Sequence, residues 1–213
     1  MIDADAAPLG HVGLATAADA PAIGALLLAQ YRAAKEFRLL RPDLLAWDGR
    51  AGAGGVAAGW TDDGRLVATM RASIAPDADA AAAAMGLSVD LPDACFPAVI
   101  LSRAATDPAL ARSGINSLLR WHLLRAAAAQ GARAALGLVY EGAPRLSVMA
   151  RIGYRTAPPA RIWDPEVEPL RPPLLAWLPP EVFPAAIEAL RAEVVEAARR
   201  WPWHGPAPMV PSV

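Results

Sequence analysis

An alternation of apolar strands with one-sided helices is the feature that most constrains the fold of this chain. Residues 97–106 form a nearly continuous apolar run, which is typical of a buried strand. Apolar residues at helical spacing follow over 114–129, and residues 134–140 supply a second apolar strand. A short helix over 144–152 and an extended segment from Tyr154 continue the series. The order of strand, helix, strand, helix, strand favours an α/β fold.

The elements before this series include a helix and a hairpin. Helical spacing predicts a long first helix over 18–40, with Asp19 as its N-cap and Pro42 as its stop. A glycine-rich loop is expected over 48–55. The segments 56–60 and 66–73 flank a turn and predict a β-hairpin. The alanine-rich stretch 76–91 is expected to be a small helix or an irregular arm.

The C-terminal part is richer in proline. Residues 160–163 and 174–178 are strand candidates, and 181–201 carries the pattern of an amphipathic helix. The last dozen residues contain several prolines and are expected to form a flexible tail. We therefore predict a core over 1–157 and an extension over 158–213 that packs on it within the same domain.

Composition and charge exclude several classes of function. The 213 residues are 55% hydrophobic and 19% charged, so the chain can bury a sizeable core. The net charge of −1 provides no basic field for nucleic acid, which we do not expect as a partner. No apolar run approaches the roughly 20 residues of a transmembrane helix, and no export signal is readable. The only cysteine, Cys95, allows no internal disulfide, no metal site is predicted, and we expect a cytoplasmic protein.

The loop that links the first buried strand to the helix carries the chemistry. It reads DPALARSGINSLLR over 107–120. A helix N-terminus offers unpaired backbone N–H groups that bind phosphate oxygens. Arg112 adds charge, Gly114 allows close approach of the backbone, and Asn116 and Ser117 add donors. Ordinary turn chemistry is the other interpretation of the same residues.

Four segments in order resemble the GNAT acyltransferase superfamily. They read DGRLVATMR, ILSRAATDP, ARSGINSLL and RLSVMARIGYR, and the resemblance covers roughly 56–154. It implies a central mixed, mainly antiparallel sheet, flanked by helices and splayed between the fourth strand, 97–106, and the fifth, 134–140. It also implies that the pantetheine arm of an acyl thioester enters this splay and pairs with the backbone at Ala104 and Thr106. The cofactor-binding loop would comprise Arg112, Ser113, Gly114, Ile115, Asn116 and Ser117.

The sequence departs from the superfamily pattern at its catalytic positions. The loop keeps one of the usual glycines, Gly114. Met149 stands where many members carry a tyrosine that acts as general acid, and Ile100 stands where a strand carboxylate is common.

A narrower resemblance links the chain to acyl-homoserine-lactone synthases and long-chain N-acyl amino acid synthases. It rests on QYRAAKEFRLLRPDLLAW, LVATMR and LSR. Arg71, Ser102 and Arg103 match this branch, and Arg32 and Trp47 match more loosely. The branch implies an acyl-carrier protein as donor, whose arm carries one phosphate, so that a degenerate loop is tolerated.

These resemblances imply N-acyl transfer from a thioester to the amine of an amino acid or another small metabolite. The co-substrate would be acyl-phosphopantetheine on a carrier protein, or acyl-CoA. Ser102 is the candidate for oxyanion stabilisation, with Arg103 beside it, and Glu141 is the candidate proton acceptor, with Tyr140 at the substrate. The other interpretations are a strand hydrogen bond for Ser102, a surface ion pair for Arg103 and a solvated loop charge for Glu141.

Two alternative functions stay open at this stage. One is an ordinary CoA-dependent acetyltransferase, and the other is a catalytically inactive GNAT-like module that binds a ligand. A homodimer is a further expectation.

Overall fold

The computed structural model describes residues 8–34, 37–39, 55–143, 145–162, 168–169 and 171–213. Within these ranges no helix has both the length and the apolar content needed to cross a bilayer. The predicted loop at 48–55 lies outside the described residues except for Gly55.

Ten strands and six helices make up the described chain. The strands are Gly10–Leu14 (β1), Phe37–Leu39 (β2), Val56–Thr61 (β3), Leu66–Ala75 (β4), Ala98–Thr106 (β5), Ala134–Tyr140 (β6), Arg155–Ala157 (β7), Glu168–Pro169 (β8), Pro173–Leu178 (β9) and Trp203–His204 (β10). The helices are Ala20–Ala34 (α1), Ala78–Met85 (α2), Ile115–Ala129 (α3), Arg145–Arg151 (α4), Phe183–Glu193 (α5) and Val195–Arg200 (α6).

Eight of the strands form one open mixed sheet in the order β10-β1-β3-β4-β5-β6-β9-β7. The pairs β1–β10 and β5–β6 are parallel, and the remaining pairs are antiparallel. The predicted hairpin is β3 and β4. Strand β9 lies between β6 and β7, so part of the C-terminal extension lies inside the sheet.

Helices cover both faces of this sheet. Leucines of α3, including Leu118 and Leu123, pack with Met70 and Val99 on one face. On the opposite face, α2 buries Ala81 against Ala98 and its neighbours, and α1 packs on β3 and the end of β5. Alternate residues of β5 therefore face helices on opposite sides of the sheet. The site described below lies at the end of β5, between helices from the two sides.

The first helix differs from the prediction at both ends. The turn before it begins at Thr16, whose backbone N–H donates to the Asp19 carboxylate at 2.8 Å, so Asp19 closes a capping box and does not act as a simple N-cap. Helix α1 ends at Ala34, and β2 follows where the helix was expected to continue. Its predicted stop at Pro42 lies outside the described residues.

The C-terminal segment also differs from the prediction. The expected helix over 181–201 is two helices, because the chain leaves helical geometry at Val194. The expected flexible tail is instead paired with the sheet. Strand β10 pairs with β1 at the edge of the sheet, and the Ile74 amide donates to the Pro211 carbonyl at 2.7 Å. Backbone donors and apolar side chains such as Val210 find partners there, and local composition cannot reveal such partners. Of the strand candidate 160–163, Ile162 forms an isolated bridge to Leu87, and Trp163 lies outside the described residues.

Candidate functional site

The two parallel strands at the centre of the sheet part halfway along their length. β5 and β6 pair from Ala98 with Ala134 to Leu101 with Gly137. Beyond Gly137 the two strands no longer pair with each other, although β5 continues to Thr106. A Cβ at Gly137 would lie 3.3 Å from the Leu101 carbonyl oxygen, so glycine allows the close approach at the last pair. The parting leaves backbone groups on facing strand edges, as the resemblance to the GNAT superfamily implied.

A β-bulge accompanies the parting. Thr69 pairs with Ala105 and Arg71 with Ser102, so one residue of β4 faces two residues of β5. Arg103 lies in this bulge with a φ of 51°, in the left-handed region that non-glycine residues seldom adopt. A bulge bends its strand and re-aims its side chains, which fits the divergence of β5 from β6.

A cleft of about 370 Å³ opens where the strands part. This volume falls within the range of small-molecule sites. Residues from α1, β5, α3, α4 and the position after it, and α5 form its walls. They are Gln30, Tyr31, Ala104, Ala105, Thr106, Asn116, Ser117, Arg120, Arg145, Val148, Met149, Ile152 and Leu190. The structure therefore brings together four of the predicted cofactor-binding residues: Ala104, Thr106, Asn116 and Ser117.

The loop that enters α3 is shaped by its own hydrogen bonds. Asp107 accepts from the Ala109 amide at 2.9 Å and forms an ion pair with Arg65. These bonds, the Ala109 bond first, lower the pKa of Asp107 below its usual value. Gly114 then caps α3 with a φ of 79°. The loop thus turns sharply onto a helix whose first N–H groups lack carbonyl acceptors within the helix.

The remaining loop residues differ in exposure. Asn116 Nδ2 donates to Thr106 Oγ1 at 3.4 Å, which ties the helix start to β5. Ser113 Oγ accepts from the Ile115 amide at 3.4 Å, and the Ile115 side chain is buried in the core. Arg112 is exposed and has a φ of 68°. It is not among the residues that line the cleft.

A second, smaller cavity of about 170 Å³ lies on the α2 side of the same strands. Arg71 Nε donates to Ser102 Oγ at 3.1 Å across β4 and β5. Both residues line this cavity together with Ile100, and Val213 of the C-terminal segment forms part of its wall. The structure therefore pairs Arg71 with Ser102, two residues that the narrower resemblance singled out.

Other predicted site residues lie elsewhere. Glu141 is exposed just beyond β6, and it lines neither of the two cavities. Tyr140 is buried at the end of β6, and Arg103 is half-buried in the bulge. Arg32 is exposed in the last turn of α1, whereas its neighbour Tyr31 lines the cleft. Trp47 lies outside the described residues.

Two arginines in the cleft were missed by sequence reasoning. Arg120 lies one helical turn after Asn116, so helical spacing could have placed it on the same face. Arg145 comes from the first turn of α4, and its position in the cleft follows only from the packing of α4. Tyr154, whose hydroxyl accepts from Arg120 at 3.2 Å, was likewise assigned no role.

Two buried titratable groups near the core do not contribute to the site. Burial raises the pKa of the Cys95 thiol, so the thiolate that would serve as a nucleophile is disfavoured. Burial, with a smaller effect of Arg125, lowers the pKa of His122 to about 4, so this side chain is neutral in the core at pH 7. No cluster of three or more potential metal ligands occurs among the described residues.

The sequence matches no protein-family model. It also matches no curated protein. Solved structures, in contrast, share the fold. An acetyltransferase of the GNAT family from Staphylococcus aureus Mu50 superposes with a TM-score of 0.58 at 10% identity, over 80% of this chain and 99% of that one.

Two further solved structures share this fold. TofI, solved in a ternary complex with an inhibitor and MTA, gives a TM-score of 0.51 at 16% identity, over 85% of this chain and 98% of that one. N-acetylglutamate synthase from Neisseria gonorrhoeae, solved with coenzyme A and N-acetyl-glutamate, gives 0.52 at 14% identity, over 80% of this chain but 35% of that one. The chain has the GNAT fold that its sequence predicted.

Proposed function

We propose that this GNAT-fold chain transfers an acyl group from a thioester to the amine of a small metabolite. The observation that carries the proposal is the parting of β5 and β6 beside the start of α3. A pantetheine arm contains amide groups, which can pair with strand edges that have lost their neighbouring strand. Its phosphate would then lie toward the N-terminus of α3, where N–H groups and the helix dipole favour an anion.

The donor that suits this cleft is an acyl-phosphopantetheine arm on a carrier protein, with acyl-CoA as the other candidate. The loop before α3 keeps a single glycine at its N-cap, and Arg112 is exposed outside the cleft. An arm with one phosphate demands fewer loop contacts than the pyrophosphate of CoA. A cytoplasmic location, where we expect such carriers, belongs to this proposal.

The acceptor we propose is an amino acid, bound on the α2 side of the sheet. Arg71 and Ser102 line the smaller cavity there, and the cleft is lined by the next residues of β5, Ala104 to Thr106. A guanidinium suits a carboxylate, since it presents a planar array of donors. One structure with the same fold was solved with coenzyme A and an N-acylated amino acid, which supports this choice.

The reaction needs little acid or base assistance, because a thioester is already activated. The neutral amine attacks the carbonyl carbon, the C–S bond breaks, and the proton lost by the amine balances the thiolate that leaves. Ser102 or a β5 amide would stabilise the developing oxyanion. Glu141 is exposed and outside both cavities, so its proposed role as proton acceptor requires an intervening water.

Release of free thiol tests the proposal. Purified protein is incubated with acyl-carrier protein or acyl-CoA and a pool of amino acids and other amines, and the acylated product is identified by mass spectrometry. We expect thiol release that requires both substrates and falls about 10- to 100-fold in Ser102→Ala, as for loss of a hydrogen bond to a developing charge. The absence of product with every donor and amine would refute acyl transfer.

The second candidate function is a ligand-binding module without catalysis. Met149 lines the cleft at the position of the usual general acid, and Ile100 lines the smaller cavity at the position of the usual carboxylate. Tight donor binding without product would support this candidate. Measurable turnover that falls in Ser102→Ala or Glu141→Gln would exclude it.

A further inference from the structure

Two arginines on different helices line the 370 Å³ cleft beside the end of β5. Arg120 is half-buried on α3, with its Nη1 donating to the Tyr154 hydroxyl at 3.2 Å and its guanidinium 5.8 Å from the centre of the Tyr154 ring. This contact restricts the Arg120 side chain. Arg145 enters from α4, and its Nε is buried with no hydrogen-bond partner among the described residues.

Among the residues that the structure describes, none of those that line the cleft is acidic, so none of them balances the charge of the two guanidinium groups. Arg151, one helical turn and a half further along α4, pairs with Glu193 at 3.2 Å, whereas the ion pairs of the described residues include neither Arg120 nor Arg145. Both arginines are half-buried, so an anionic ligand in the cleft would find two cationic donors there that are only partly solvated.

We propose that Arg120 and Arg145 form a clamp for the phosphate of the donor's pantetheine arm. The inference rests on the proposed function, and it assigns the phosphate contacts to the body of α3 and the start of α4 rather than to the 112–117 loop alone. Arginine binds phosphate through two parallel hydrogen bonds, which gives both strength and orientation. The clamp explains how a loop with one glycine can still hold a phosphorylated donor.

A matched pair of ligands isolates the phosphate. Phosphopantetheine and pantetheine differ only in that group, and their dissociation constants for the wild-type protein are measured by calorimetry. We expect phosphopantetheine to bind about 10- to 100-fold more tightly, as charge-assisted hydrogen bonds predict. Equal affinity for the two ligands, or binding of neither, would overturn the clamp without any variant being made.

Variants then locate the contact. Arg120→Gln and Arg145→Gln are expected to lose most of the preference for phosphopantetheine. Arg125→Gln, an exposed residue of the same helix stacked on Trp121, removes an equal charge and should retain the preference. A preference that survives in both cleft variants would refute the assignment. Coenzyme A, measured as a third ligand, distinguishes the sources of the phosphate. If coenzyme A binds with the affinity of phosphopantetheine, one phosphate suffices for binding. If it binds more tightly and the cleft variants leave that affinity unchanged, the phosphate contacts lie on the loop and the clamp is overturned.

The clamp and the proposed function fail in different ways. Acylated product formed equally well from acyl-pantetheine and acyl-phosphopantetheine would leave the function in place and refute the clamp. A phosphate preference that depends on Arg120 and Arg145, without product from any amine, would establish the clamp and refute acyl transfer.

Discussion

Replacing His122 with phenylalanine should remove a pH-dependent part of the stability of this protein. His122 lies on α3, 7% exposed, with its ring centre 4.4 Å from that of Trp203 and 4.7 Å from that of Trp121. Its Nδ1 is buried and has no hydrogen-bond partner among the described residues. Protonation would place an unpaired charge in this aromatic environment, close to the positive charge of Arg125. Phenylalanine keeps a ring between the two tryptophans but cannot take up a proton.

The magnitude follows from the shift of the pKa. Burial lowers the pKa of His122 from 6.5 to about 4, and each pKa unit corresponds to about 1.4 kcal/mol. The unfolded state therefore binds the proton first as the pH falls. Because of His122, the free energy of unfolding is about 3 kcal/mol higher above pH 6.5 than below pH 4. This difference is lost as the pH falls from 6.5 to 4. In a chain of this size the loss corresponds to about 10 °C in Tm.

Urea denaturation at half-unit steps from pH 7 to pH 4 measures this effect. The free energy of unfolding of wild type should fall across that window, and the curve of His122→Phe should lack this fall. The pKa values of Asp63 and Asp107 are lowered from 3.8, so their contributions fall mainly below pH 4, and any such fall is common to both curves and cancels in their difference. Substitution of the exposed His204 by phenylalanine serves as the control. A wild-type curve that is flat between pH 6.5 and 4, or a fall of equal size in His122→Phe, would show that His122 is not the buried neutral group described here.

Three further substitutions test the geometry of the site. Gly114→Ala, at a φ of 79°, should lower the free energy of unfolding by about 1–2 kcal/mol in urea titrations, and an unchanged value would contradict the left-handed cap. Asp107→Ala removes a cap worth about 1 kcal/mol and the ion pair with Arg65, which hold the loop before α3 in place. The KM for the donor should therefore rise more than kcat falls, and an unchanged KM would show that this loop does not bind the donor. Gly137→Val forces a branched side chain against the Leu101 carbonyl, and a loss of about 1–3 kcal/mol in stability is expected. Wild-type stability in that variant would argue against the tight last pair of β5 and β6.

Much of the central sheet could be predicted because its elements have strong local patterns. The strand at 134–140 was placed at the bounds that the structure shows, and α3 and β5 were placed within one residue. Arg71 and Ser102 were grouped by motif, and the structure pairs them directly. Local pattern misled where tertiary contacts override it: helix-like spacing continued past Ala34, and a proline-rich end concealed a strand that pairs with β1.

The amino-acid sequence by itself determined the identity and order of these elements, because apolar periodicity and turn residues act over a few neighbours. Only the tertiary structure decided where β5 and β6 part and which charged side chains meet in the opening. Arg120 and Arg145 are separated in the sequence by the rest of α3 and by strand β6, and both line the cleft because of how α3 and α4 pack against one sheet. Contacts of this kind are set by register and burial across the whole fold, so no local stretch of sequence contains them.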